Sequence, residues 1–121
     1  PAGRLYVDAN VVVSENGEAL RERRHAAHNG VVTVAVVLDG RGKITSGPQV
    51  RAIGMPTDDD YPMDEALDDL AEEAERALAR LSGADRDLDQ AVETAMSRAV
   101  KKACQRVWGR RPVVETTVLR L

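Results

Sequence analysis

The chain has 121 residues, 43% hydrophobic and 31% charged, with a formal net charge of −3. That is enough chain for one buried core and too little for two ordinary domains, and the balance excludes wholesale disorder. Phe is absent and the aromatics are one Trp and two Tyr, so the core is expected to be built from Val, Leu, Ala and Ile, and a broad aromatic platform for stacking single-stranded bases is excluded. No apolar run approaches the length of a membrane span and no secretory signal follows Pro1. The lone Cys104 has no internal disulfide partner, so the expected compartment is the cytoplasm, with no membrane partner. The start at Pro1 rather than Met leads to the expectation of a piece cut from something larger.

In chain order, residues 4–13 (RLYVDANVVV) are apolar and β-branched and read as an extended arm or strand, with a turn at Ser14–Gly17. Ala19–His28 is open between a short helix and an exposed strand, and Asn29-Gly30 is a turn dipeptide. Val31–Leu38 (VVTVAVVL) is the clearest strand, its nearly continuous apolar run expected on both-face burial or a central place in a sheet. The DGRG turn at 39–42 leads back through a strand made of Lys43–Thr45 and Pro48–Ile53, where Gly47-Pro48 predicts a bulge or an edge.

Pro56–Pro62 reads as a loop. Asp64 is the expected N-cap of a helix to about Leu81, with Leu67, Leu70, Ala74, Ala77, Leu78 and Leu81 as its apolar stripe. Asp85 or Asp87 is expected to cap a second helix to about Trp108, with the stripe Leu88, Ala91, Val92, Ala95, Met96, Ala99, Ala103 and Val107, and Gly109 in a left-handed C-terminal cap. Val113–Leu121 is the last strand, placed beside the long central one. The fold class is therefore α+β: a small, mainly three-stranded sheet with two helices packed on one face, order β-β-α-α-β, preceded by an N-terminal arm.

The small net charge hides segregation. Ten of the twenty acids lie between Asp58 and Glu75, and six of the seventeen Lys and Arg lie between Arg98 and Arg111. Arg98, Lys102 and Arg106 step by four along one helix ridge, Lys101 lies next to it, and Arg110-Arg111 continue past the helix end. This cluster is the candidate RNA-binding site, with sequence-neutral, salt-sensitive phosphate contacts. The plainer alternative is a set of cations that complement a helix C-terminus and solvate its outer face.

Catalytic chemistry is not evident. His25 and His28 lack a third ligand and read as solvated side chains, Cys104 reads as a buried inert thiol, and the acidic run lacks the spacing of a calcium loop. The glycines of GRG (40–42) and SGP (46–48) are turn residues rather than a phosphate-binding loop. No catalytic and no metal-binding residue is assigned.

Four stretches carry a family resemblance. PAGRLYVDAN (1–10), LRERRHAAHNGVVTVAVVLD (20–39), SGPQVRAIGM (46–55) and WGRRPVV (108–114) resemble, in order and spacing, the C-terminal portion of the bacterial ribonuclease J family, the metallo-β-lactamase/β-CASP ribonucleases. Asp8-Ala9 stands where the family pattern has Asp-Gly, and 57–107 matches in pattern rather than in letters. The resemblance implies residues 1–18 as an arm from a catalytic core and 19–121 as the C-terminal domain. It implies a cytoplasmic parent enzyme of RNA processing and RNA degradation, a hydrolase with 5′-to-3′ exonuclease and endonuclease activities. Two zinc ions would sit in the parent's catalytic domain and no cofactor in this chain, because the family's His-x-His-x-Asp-His motif has no counterpart here. The implied role is a non-catalytic accessory domain that supports oligomer assembly and full nuclease activity. Its implied partners are the catalytic domains of the same chain, a second copy in a dimer, and RNA for the parent. For subunit pairing the candidates are Leu5, Val7 and Val11–Val13 on the arm, and Val118, Leu119 and Leu121 on the final strand.

Overall fold

The computed structural model describes residues 5–8, 11–14, 21, 29–56 and 59–121. The expected turn at 15–17 and the candidates His25 and His28 lie outside these residues.

The arm is not one extended segment. Strands β1 (Leu5–Asp8) and β2 (Val11–Ser14) pair antiparallel as a two-stranded hairpin, Leu5 opposite Ser14 and Asp8 opposite Val11. An apolar run of ten residues looks like a single strand when read by composition alone.

The main sheet has the order β4-β3-β5. Strand β3 (Val31–Leu38) is its centre, and Val32, Val34, Val36 and Leu38 point into the core on one face. On the other face Thr33 is exposed and Val31, Ala35 and Val37 are half-buried, so the apolar run reflects central position rather than burial on both sides. Strand β4 (Ile44–Ile53) runs antiparallel to β3. Ala35 faces Gln49 while Val37 faces Ser46, which places one extra residue of β4 at Gly47-Pro48, the expected bulge on an edge strand. That peptide bond is cis. Strand β5 (Val113–Arg120) lies parallel to β3, in register from Val31–Val113 to Leu38–Arg120.

Helix α1 (Met63–Ala79) differs from expectation at its start. Pro62 is the N-cap, with no side-chain hydrogen bond, and Asp64 lies in the first turn beside Glu65. There the two carboxylates favour the positive end of the helix dipole without capping it. Ala66, Leu70, Ala74 and Leu78 form the buried stripe, and Leu67 and Leu81 flank the core.

Residues 82–88 form no part of the second long helix. Ser82 Oγ accepts from the Asp85 amide at 3.1 Å and starts a one-turn helix, α2 (Gly83–Arg86), for which Asp87 is the C-cap. Helix α3 (Asp89–Trp108) then begins after an extended Leu88 without a side-chain cap, so neither Asp85 nor Asp87 caps it. The break turns Leu88 out to solvent, 58% exposed. The buried face of α3 is Val92, Met96, Val100, Ala103 and Cys104. Gly109 is left-handed at φ 64°, and its amide donates to the Gln105 carbonyl, the C-cap the sequence predicts.

Helices α1 and α3 pack on each other and on the same sheet face, α1 over β4 and α3 over β5. The core is aliphatic apart from Met96 and Cys104, with Trp108 only at its margin.

Candidate functional site

The cations predicted to form one ridge are divided by the packing of the helices. All six of Arg98, Lys101, Lys102, Arg106, Arg110 and Arg111 are exposed. Arg106 faces α1, with Nη2 3.6 Å from Glu73 Oε1. The same carboxylate oxygen accepts from Arg76 Nη1 at 3.0 Å. Arg106 thus shares one carboxylate of a neighbouring helix with Arg76. Arg111 folds back after the Gly109 cap, and its Nε donates to Gln105 Oε1 at 3.3 Å, so the guanidinium is held against α3.

Lys101, Lys102, Gln105 and Arg111 form one wall of a groove of about 760 Å³ whose other wall is the start of β5, Pro112–Glu115. A second groove of about 370 Å³ continues from it along α3. It shares Lys101 and adds Arg98, Thr94, Ser97, Glu93 and Thr116. Arg98, Lys101 and Lys102 form no ion pair among the described residues. The structure therefore brings Arg98, Lys101, Lys102 and Arg111 to one furrow between α3 and β5 and assigns Arg106 to the α1 side. Arg110 follows the cap and lines neither groove. The sequence could not show this division, because the carboxylate that removes Arg106 belongs to another helix.

The acidic run lies outside the furrow. Asp64, Glu65, Asp68, Glu72 and Glu75 are exposed on α1 and line neither groove. Asp69 is different: its carboxylate accepts from the Tyr61 hydroxyl.

The outer sheet face is a second feature. Side chains in register make rows across it: Ile53, Val31 and Val113; Arg51, Thr33 and Glu115; Gln49, Ala35 and Thr117; Ser46, Val37 and Leu119. Ile53 is 72% and Leu119 56% exposed. The amides of Val113 and Leu121 donate to carbonyls of Gly30 and Leu38. By the alternation of a parallel ladder, the amides of Val114, Thr116, Val118 and Arg120 point away from β3, along an edge to which no described strand pairs. The sequence groups Val118 with Leu119; the structure packs Val118 on the core and turns Leu119 out.

Among the described residues no three His, Cys, Asp or Glu side chains are placed to hold a metal ion, so they do not fit a zinc centre. Cys104 is buried, and desolvation pushes its thiol up to about 11. No helix of the described residues is long and apolar enough to cross a membrane.

A known family and a known protein bear on this chain's identity. The model of the "Ribonuclease J C-terminal domain" family matches residues 18–121. The chain is also similar to ribonuclease J of Sinorhizobium meliloti (strain Sm2011 / Rm2011 / 2011), 32% identical over 123 residues that cover 100% of this chain and 21% of that protein. The chain thus spans about a fifth of the length of the relative it matches. With a family match over nearly the whole chain and a β-β-α-α-β order in the main sheet and its helices, this chain belongs to the ribonuclease J C-terminal domain family.

Proposed function

We propose that this chain is the non-catalytic accessory domain of a cytoplasmic, zinc-dependent ribonuclease of RNA processing and decay, and that it supports assembly and full activity of that enzyme by pairing with a second copy of itself. The β5 edge to which no described strand pairs carries this reading. It presents the amides of Val114, Thr116, Val118 and Arg120 in a row, with Leu119 exposed beside it. Edge strands of this kind are open to strand addition. Two β5 strands related by a twofold axis would pair antiparallel and extend the sheet from three strands to six, with both helix layers on one side.

The test uses the directionality of the edge. Thr116→Pro removes an amide that points away from β3 and leaves the β3 ladder intact. Sedimentation velocity of the wild-type chain is expected to show a dimer, and Thr116→Pro a monomer with its unfolding transition retained. In a longer protein that carries the domain, the same substitution is expected to lower nuclease activity along with assembly. A wild-type chain that stays monomeric at high concentration, in a parent whose oligomeric state ignores the domain, refutes the proposal.

A further inference from the structure

We infer that the furrow between α3 and β5 is a phosphate track for single-stranded RNA, in which Arg98, Lys101, Lys102 and Arg111 contact backbone phosphates. The first ground is the clustering of unpaired cations. Three cations outside the furrow are tied to carboxylates: Arg76 and Arg106 to Glu73, and Arg120 to Asp89. Arg41, Lys43, Arg51 and Arg80 likewise form no ion pair among the described residues, but Arg98, Lys101 and Lys102, also without one, lie within five residues of α3 and all line the furrow. Closely spaced like charges repel, and a polyanion relieves that repulsion while releasing its own counterions.

The second ground is geometry. From Arg98 to Lys102 the helix rises about 6 Å, and Arg111 extends the line past Gln105. Hydroxyls of Thr94, Ser97 and Thr116 lie along the same path and can donate to phosphate oxygens. No aromatic side chain lines either groove, so bases have nothing to stack on and contact is confined to the backbone.

The third ground is exclusion. The exposed carboxylates of α1 line neither groove and repel a nucleic acid where they stand, which favours the furrow. Membership of a ribonuclease family makes RNA the polyanion within reach. The track lies within one copy of the chain and does not require β5 to pair with a second. Two carboxylates, Glu93 and Glu115, border it and weaken its field.

The experiment is fluorescence anisotropy of a labelled twenty-nucleotide uridine RNA with the full chain, from 50 to 200 mM salt. Replacing Lys101 and Lys102 together by Ala is expected to weaken binding about tenfold at the lowest salt and to reduce the slope of log K against log salt by about 1.4, at ~0.7 for each phosphate left without its lysine. Lys101→Glu with Lys102→Glu is expected to abolish binding, Glu115→Gln to tighten it, and Arg76→Ala to leave it unchanged. Circular dichroism establishes that each variant keeps its fold. An unchanged slope in the double Ala variant, no binding by the wild-type chain at 50 mM salt, or displacement of the RNA by poly-glutamate at equal charge would each overturn the inference, the last by marking a site for acidic peptide.

Discussion

Arg120 Nε donates to Asp89 Oδ1 at 2.6 Å while its Nη2 donates to the Arg86 carbonyl, also at 2.6 Å. One guanidinium at the end of β5 thus joins the last turn of α2 to the first turn of α3. Both acceptors lie where the chain breaks between two helices, so this side chain ties together two helix ends that no cap of their own connects. Arg120 is 27% and Asp89 59% exposed. The carbonyl bond is the better shielded of the two and is expected to dominate. Arg120→Ala should lower the unfolding free energy in urea by about 1–2 kcal/mol. Asp89→Ala should cost less than about 1 kcal/mol, because the bond to the carbonyl survives it.

The register of α3 makes a sharper prediction. Met96 is fully buried, whereas Leu88 stands in solvent just before the helix. Met96→Ala should destabilise by about 2–5 kcal/mol through the cavity it leaves. Leu88→Ala should stay within about 0.5 kcal/mol of the wild type. Thermal unfolding of the two variants side by side checks this. Equal losses would mean that Leu88 belongs to the core after all.

That contrast shows what is legible in the residues alone. Val31–Leu38, the DGRG hairpin, the bulge at Gly47-Pro48, the two helices and the Gly109 cap each have a local cause, a run or a dipeptide whose chemistry acts within a few residues. Leu88 deceives because a 3.6-residue period continued backward runs through Ser82–Leu88, where the Ser82 cap starts a separate turn. The same period selects Ala99 where the structure buries Val100, and leaves Cys104 near the stripe's edge, because the phase of α3 is set by its contact with α1 and β5. The candidate site follows the same rule. The cations can be named from sequence, but the pairing of Arg106 with Glu73 depends on how two helices cross.

The β3–β4 turn rests on Asp39 and Gly42. Asp39 Oδ1 accepts from the amides of Arg41 at 2.8 Å and Lys43 at 2.9 Å. Gly42 sits at φ +78°, and a Cβ there would approach Arg86 Cβ to 2.7 Å. Gly42→Ala should cost about 1–3 kcal/mol by backbone strain and by displacing α2. Gly40→Ala, with open space around it, is the matched control and should be close to neutral. The Lys43 amide, with that of Arg41, holds the Asp39 carboxyl below its ordinary 3.8. Its stabilising effect is present above that value and is lost as the pH falls through the lower, folded one. Asp39→Ala should therefore flatten the acid limb of a stability–pH profile and leave the alkaline limb unchanged.

On the alkaline side Cys104 contributes. Desolvation among the core side chains raises its thiol from 9.0 to about 11. Between those values the unfolded chain has lost the proton and the folded one still holds it, so stability falls as the pH rises, by up to about 1.4 kcal/mol per unit. Below pH 9 the effect is absent and the thiol contributes its packing in full. In the folded protein it should resist thiol reagents at pH 7.5 and react at once in urea. Cys104→Ala has no proton to lose. Wild type should exceed it in stability by about 1 kcal/mol near neutrality, and the difference should shrink steadily from pH 9 upward in urea titrations. A difference that stays constant to pH 10.5 would show that the folded thiol ionises as freely as the unfolded one, against its burial on the core face of α3.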